Sequence, residues 1–341
     1  MVDSAALRAY IIASVDENPR GLAQLLSKRF SISRQAANRH ISRLVEEGLL
    51  WAEGETRSRQ YHLALLGNLV KSIAITPDLE EHAVWEEHVL PLLGSTPAAV
   101  RDICNYGFTE MVNNAKDHSG SAVVSITAQV TAATVNMTVK DEGIGIFQKI
   151  KLALELEDER HAILELVKGK VTTDPARHTG EGIFFTSRMF DYFGMTSGRL
   201  FLGRMRQTKD YLIEAAEPLT GTRVAMTIAT SSDHTTNEVF ERYATDQDDY
   251  AFQRTHVVVS LARSEGEKLV SRSQAKRIVA RLDRFKEVLL DFKGIDSIGP
   301  AFADEIFRVF RSTHPTVHLV VINENDEVQK MIRRAESAAA G

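Results

Sequence analysis

A single cysteine, Cys104, in 341 residues leaves no internal disulfide and no Cys-rich zinc site to build on. No apolar stretch approaches the roughly 20 residues that a membrane-spanning helix needs. Asp3 and Arg8 interrupt any apolar run of the kind a secretory signal uses. An excess of positive charge is also missing: 41 Lys and Arg against 46 Asp and Glu give a net charge of −5 and an isoelectric point near 6.1. The chain as a whole does not advertise nucleic-acid binding, so any such role must come from a local patch. These absences predict a cytoplasmic protein that is not bound to a membrane. With 43% hydrophobic and 26% charged residues, it has material for sizeable cores in two or three domains. Cys104 falls on an apolar helical stripe and reads as a small core residue.

Residues 4–65 read as three helices and a hairpin. Ala5 to Val15 carries one helical stripe, and Leu22, Leu25 and Leu26 form a second. Ser31-Ile32-Ser33 is a turn and cap before a third helix with Ala36, Ala37, Ile41 and Leu44 on its apolar face. Gly48 ends that helix. Leu49–Trp51 and Gln60–Leu63 can pair as strands around Gly54–Arg59. Between Lys28 and Arg43 the chain carries Lys28, Arg29, Arg34, Arg39 and Arg43 and no acidic residue.

This pattern resembles the winged helix-turn-helix of bacterial repressors. The resemblance implies that Arg34, Gln35, Asn38 and Arg39 meet base edges in the major groove of double-stranded DNA. It also implies that Arg57 and Arg59, on the wing, meet phosphate or the minor groove. The plainer alternative is a winged helix used only for protein contacts. One such module makes few contacts, so useful affinity for DNA predicts a homodimer.

Three segments of the middle third point to a nucleotide. On a helix expected to be capped by Thr96 and opened by Pro97, Glu110, Asn114 and Asp117 share a face. An asparagine oxygen is a hard neutral ligand suited to Mg²⁺ that already carries phosphates, and a carboxylate one turn away can deprotonate a water or hydroxyl. Asp141-Glu-Gly143-Ile-Gly145 follows the alternating strand Val135–Val139. There an aspartate can accept from an exocyclic amine such as adenine's, and the glycines let the backbone approach a flat base. Gly180-Glu181-Gly182 precedes a helix expected through Phe185, Arg188, Met189 and Tyr192, whose first N–H groups suit phosphate. Gly221-Thr222 opens the alternating strand Val224–Ile228. Taken singly these are a polar helix face and Gly-rich turns. Their order and gaps point to ATP.

Jointly they resemble the GHKL superfamily of ATP-binding domains, which includes gyrase-type ATPases, histidine kinases and anti-sigma-factor kinases, over roughly residues 83 to 230. The resemblance implies a Bergerat α/β sandwich with Asn114 on Mg²⁺ and Glu110 as general base. Asp117 would lie beside them, and Asp141 would bind the adenine amine with Thr222 close by. Gly143, Gly145, Gly180 and Gly182 would shape the base and phosphate walls. Many relatives carry a third glycine two positions after Gly182, where this chain has Phe184. A lid is expected between Phe147 and Thr179, offering Lys149, Lys151, Arg160, Lys168, Lys170 and Arg177 to phosphates. Its glutamates (Glu155, Glu157, Glu159, Glu165) equally suit a solvent-exposed helical pair.

Residues 231–254 are polar and acidic and read as a linker. From 255 to 341 strands alternate with helices: His256–Leu261, Ser271–Phe285, Val288–Phe292, Ala301–Phe310, Val317–Ile322 and Asp326–Ala335, the mark of a small α/β sheet. Leu290–Ile295, Ile298–Phe302 and Asp304–Phe307 resemble STAS-like domains, which accompany or respond to anti-sigma-type kinases. In partner-switching members a serine before the second helix accepts phosphate. Here Gly299-Pro300-Ala301 has no hydroxyl, and Ser297 is the nearest. A role as an α/β lid or dimerisation domain stays equally open.

The expected fold is therefore α/β multidomain: winged helix (1–66), GHKL ATP-binding domain with its connector (67–230), linker, and STAS-like domain. The expected function is a transcriptional regulator in which Mg-ATP binding or slow hydrolysis gates DNA binding. The rival is an anti-sigma-type protein serine/threonine kinase acting on a separate partner of the STAS or sigma-regulatory type.

Overall fold

Side-chain caps set the first helices. The Asp3 carboxylate accepts from Ala5 N–H at the start of α1 (Ser4–Ser14). α2 (Leu22–Phe30) stops where Ser31 turns left-handed, φ 53°. The Ser33 hydroxyl then accepts from Ala36 N–H at 3.1 Å and opens α3 (Arg34–Glu46). Gly48 at φ +73° ends α3 and lets Leu49 N–H reach back to Leu44 O at 2.9 Å. β1 (Leu50–Glu53) and β2 (Gln60–Leu63) pair antiparallel with Leu50 opposite Leu63. Leu7, Ile11, Leu22, Leu26, Ile41 and Leu44 form a core of this module's own.

The computed structural model describes residues 3–94, 96–172, 179–206, 210–244, 252–263 and 267–337, with the Arg57 side chain left out. The central part is an antiparallel sheet in the order β3-β4-β5-β7-β6. It comprises β3 (Gly67–Ala74), β4 (Val123–Val130), β5 (Thr134–Asp141), β6 (Tyr192–Met205) and β7 (Asp210–Ala229). Strict alternation on β5 turns Val135, Met137 and Val139 inward. Against that face lies α5 (Ala98–His118), burying Val100, Ile103, Cys104, Phe108, Met111 and Ala115. A short α4 (Glu81–Val84), continued by a π-helical turn, precedes it. α6 (Ile146–Ala153), α7 (Glu159–Lys168) and α8 (Gly182–Met189) complete the helical layer. β3, β4 and β6 are additions to the strands named from sequence.

Three local expectations change. Pro97, not Thr96, occupies the N-cap of α5, and among the described residues no side chain caps it. Tyr192 begins β6 rather than prolonging α8, because Phe190 is already extended. Gly221 lies within β7 instead of opening it. Its φ of +77° and the 2.2 Å that would separate a Cβ from Asp141 O explain the glycine.

Residues 231–254, expected as a linker, contain α9 (Thr236–Tyr243), opened by a capping box between Thr235 and Glu238. Val239 and Tyr243 of α9 are buried. Beyond it, β8 (Arg254–Val258), β9 (Glu287–Asp291) and β10 (His318–Ile322) form a parallel sheet in the order β10-β9-β8. The intervening helices are α10 (Arg272–Val279) and α11 (Pro300–Asp304), which continues through a π turn into α12 (Arg311–Thr313). α13 (Asp326–Ser337) follows β10. One continuous apolar core joins the central and C-terminal parts. Among the described residues no helix is long and apolar enough to cross a membrane.

Candidate functional site

Residues four apart on α5 stack into a row along one side of the helix. Tyr106, Glu110, Asn114 and His118 make such a row, and all four line a cavity of about 600 Å³. Ile146, Lys149 and Ile150 of α6, Leu166 of α7, Gly180 to Ile183, and Asn237 with Phe240 of α9 complete its walls. A narrower extension of about 40 Å³ runs inward to Asp141, Gly145, Thr222, Val139 and Met195. Asn114, His118, Ile146, Lys149 and Ile183 line both. One long recess therefore runs from Asp141 past Asn114 to α9.

At the inner end, Asp141 is buried, and its Oδ1 accepts from Gly143 N–H at 2.9 Å and Thr222 N–H at 3.2 Å. Burial pushes its carboxyl pKa up, against the opposing pull of these bonds and of the Thr222 hydroxyl. Thr222 Oγ1 also accepts from Ile146 N–H at 3.0 Å, fixing the start of α6. Midway, Asn114 Nδ2 is buried with no hydrogen-bond partner among the described residues, an expensive state that a polar occupant would relieve. Lys149 Nζ donates to His118 O at 2.5 Å. Burial pulls the Lys149 pKa down, and the Asp117 carboxylate opposes it.

Seven of the nucleotide residues named from sequence line the recess: Glu110, Asn114, Asp141, Gly145, Gly180, Gly182 and Thr222. A Cβ at Gly182 would fall 1.8 Å from Glu110 Oε2, so the carboxylate lies directly on the first turn of α8. Two do not line it. Asp117 is rotated off the row and exposed, acting on Lys149 from outside. Gly143 is needed elsewhere: a Cβ there would sit 2.0 Å from Ser119 O, where the loop docks on the end of α5. Sequence reasoning missed Tyr106, His118, Glu181, Asn237 and Phe240. The first two follow from the four-residue spacing of Glu110 and Asn114; nothing local marks α9.

The expected lid cations mostly serve other ends. Lys168 is 1% exposed and bonds Glu165 at 2.5 Å, Arg277 O at 2.9 Å and Ala280 O at 2.8 Å. It thus caps the last turn of α10 in the C-terminal part. Lys170 donates to Arg284 O at 3.0 Å, and Arg160 pairs with Glu214. Lys151 is not a lining residue, and Arg177 lies outside the described residues. α7 is no solvated helix: Ala162 through Lys168 are buried. Phe184, the departure from the third glycine, fills space instead of touching the recess. Its ring packs on Phe252 at 4.3 Å and Tyr243 at 4.9 Å, with the Arg188 guanidinium 3.3 Å above it.

On α3, Arg34, Gln35, Asn38 and Arg39 are all exposed, while Ala37, Ile41 and Leu44 face the core. Arg43 is tied to Glu47 at 3.0 Å. Arg59 is exposed, its guanidinium 5.5 Å from the Tyr61 ring centre. The Arg57 side chain lies outside the described residues.

The family model of a STAS-like domain of unknown function, DUF4325, matches residues 274–329. That segment runs from within α10 through β9, α11 and β10 into α13. The C-terminal part is STAS-like. The match covers 56 of 341 residues (274 to 329 inclusive), so it speaks for that part alone. No curated protein matches the chain.

Proposed function

We propose that this chain is a nucleotide-gated, DNA-binding regulator. The observation that carries the reading is the convergence of Asn114 and Asp141 on one recess. Asp141, buried and held by Gly143 and Thr222, would accept from the adenine amine. Asn114, with its orphaned carboxamide nitrogen, would sit at the phosphates. Lys149 and the N–H groups at the start of α8 would meet phosphate oxygens. Glu110, against Gly182, would hold a nucleophilic water and take its proton.

Mg²⁺ fits this donor set only together with the nucleotide. Among the described residues no three His, Cys, Asp or Glu side chains form a metal-binding group, so phosphate and water would supply the other oxygens, with Asn114 Oδ1 as the protein's contribution. The ion would neutralise phosphate charge beside Glu110 and Glu181.

The amino-terminal module would act as a winged helix, presenting Arg34, Gln35, Asn38 and Arg39 of α3 to the major groove and Arg57 and Arg59 to the backbone. Their side-by-side exposure on one helix face supports this. A homodimer would provide two half-sites. Gating requires that ATP bind the two DNA-affinity states differently. DNA affinity and mass in solution, measured with and without saturating Mg-ATP, test it: the expected result is a shift in one or both, and identical values contradict gating. Label from γ-phosphate appearing as free phosphate fits a gating ATPase; label retained on an added STAS-type protein would convert the reading to a protein kinase.

A further inference from the structure

The recess is longer than the part that the nucleotide reading uses. Four residues of α-helix advance about 6 Å, so Tyr106 lies a full turn beyond Glu110 along the wall. There the lining changes character. The rings of Tyr106, Phe185 and Phe240 form it, with Asn237 at an exposed rim. Phe240 meets Tyr106 edge-on at 5.6 Å and Phe185 at 4.7 Å. The carboxylates of Glu110 and Glu181 line the same end. Phe240 and Asn237 belong to α9, outside the region that resembles ATP-binding domains.

Aromatic faces carry negative potential and attract cations, most strongly where water is displaced. Two carboxylates beside them add to that potential. A carboxylate, or a phosphate not neutralised by a metal ion, would be repelled by both, and a neutral alkyl group would gain only burial. One titrating group at this end reports the same field. The Tyr106 phenol is pushed up by burial and further by Glu110 and Glu181. The Glu181 carboxyl is pushed up by burial although Lys170 and Thr179 act to lower it. Lys149, the one Lys or Arg lining the recess among the described residues, is engaged with His118 O midway along it.

We propose that the α9 end of the recess is a binding site for an organic ammonium group. Tyr106, Phe185 and Phe240 supply the aromatic walls, and Glu181 and Glu110 supply the charge. The site goes beyond the nucleotide reading and does not require it.

Choline and 3,3-dimethylbutan-1-ol have the same shape and differ by the charge. Titrated calorimetrically into the full-length protein without nucleotide, choline is expected to bind at least about tenfold tighter than the alcohol. Phe240→Ala and the size-conserving Glu181→Gln are each expected to weaken choline by about fivefold or more. Asp141→Asn, at the opposite end, is expected to leave it unchanged. Equal affinities for the two probes, no binding of choline, or choline binding indifferent to both variants would overturn the assignment. Loss of ATP binding with choline binding intact would instead count against the nucleotide reading alone.

Discussion

α3 and α7 are both rich in charge, and from sequence both suit a solvated surface. α3 meets that expectation: Arg34, Gln35, Asn38 and Arg39 are all exposed, over a core of Ala37, Ile41 and Leu44. α7 does the opposite, burying Glu165 and Lys168 with its leucines. The cause lies far away in the chain. Lys168 finds its carbonyl partners at Arg277 and Ala280, more than a hundred residues on. Thr255 Oγ1 donates to Lys168 O at 2.6 Å, and Arg281 lies 3.4 Å from Glu165. A charged helix marks water only where no second domain arrives to cover it. When one does, the same charges become its interface.

The contrast can be broken most directly at Lys168. Lys168→Met removes the buried cation beside Glu165 and leaves that carboxylate only its longer contact with Arg281; removing one partner of a buried pair costs up to about 3–5 kcal/mol. Urea unfolding should show that loss; a change below about 1 kcal/mol, ordinary for a surface site, would mean α7 is not locked by this contact. The matching change on α3, Arg39→Ala, should leave stability within about 0.5 kcal/mol. In the proposed function it weakens specific DNA binding by about 1–3 kcal/mol, read by fluorescence anisotropy.

A smaller effect tests whether the amino-terminal module stands apart energetically. Ser33→Ala removes the α3 cap and should cost about 1 kcal/mol. Because that module has its own core, calorimetry should show one transition moving while the rest holds. A common shift of every transition would join the two regions.

The mildest expectation concerns pH. Burial alone would raise the Asp291 carboxyl, but hydrogen bonds from His256, Asn323 and Lys293 N–H outweigh it and hold the pKa at about 2. A carboxyl depressed in the folded state stabilises fully above its unfolded value, near 4, and loses that contribution as pH falls toward 2. Acid unfolding followed by circular dichroism should therefore be less steep between pH 4 and 2 in Asp291→Asn than in the wild type.

The fold was legible where local rules govern it. Ser33 and Gly48 bracket α3 as the sequence implied, and the alternation of Val135 to Val139 and the short apolar segment Val288 to Phe292 marked strands that the structure contains. The recess was half legible. Glu110, Asn114, Asp141 and the Gly180/Gly182 pair announced themselves through spacing, because helix geometry and tight turns are local. Gly143 misled, since a glycine needed to admit a carbonyl looks the same in sequence as one needed to admit a base. α9 was illegible: it is eight residues long in a largely polar stretch, and only packing of Val239, Phe240 and Tyr243 against distant rings makes it a wall. β6 escaped for a similar reason, its buried run following a helix with no turn signal strong enough to separate them.

The central claim is that Asn114 and Asp141 serve one bound nucleotide, and binding of a fluorescent ATP analogue with and without Mg²⁺ tests it most directly. The wild type should bind in a Mg²⁺-dependent manner; Asn114→Ala should lose the Mg²⁺ dependence, and Asp141→Ala the preference for adenine over guanine. A wild-type protein that binds no nucleotide, or two variants that bind as it does, would contradict the account.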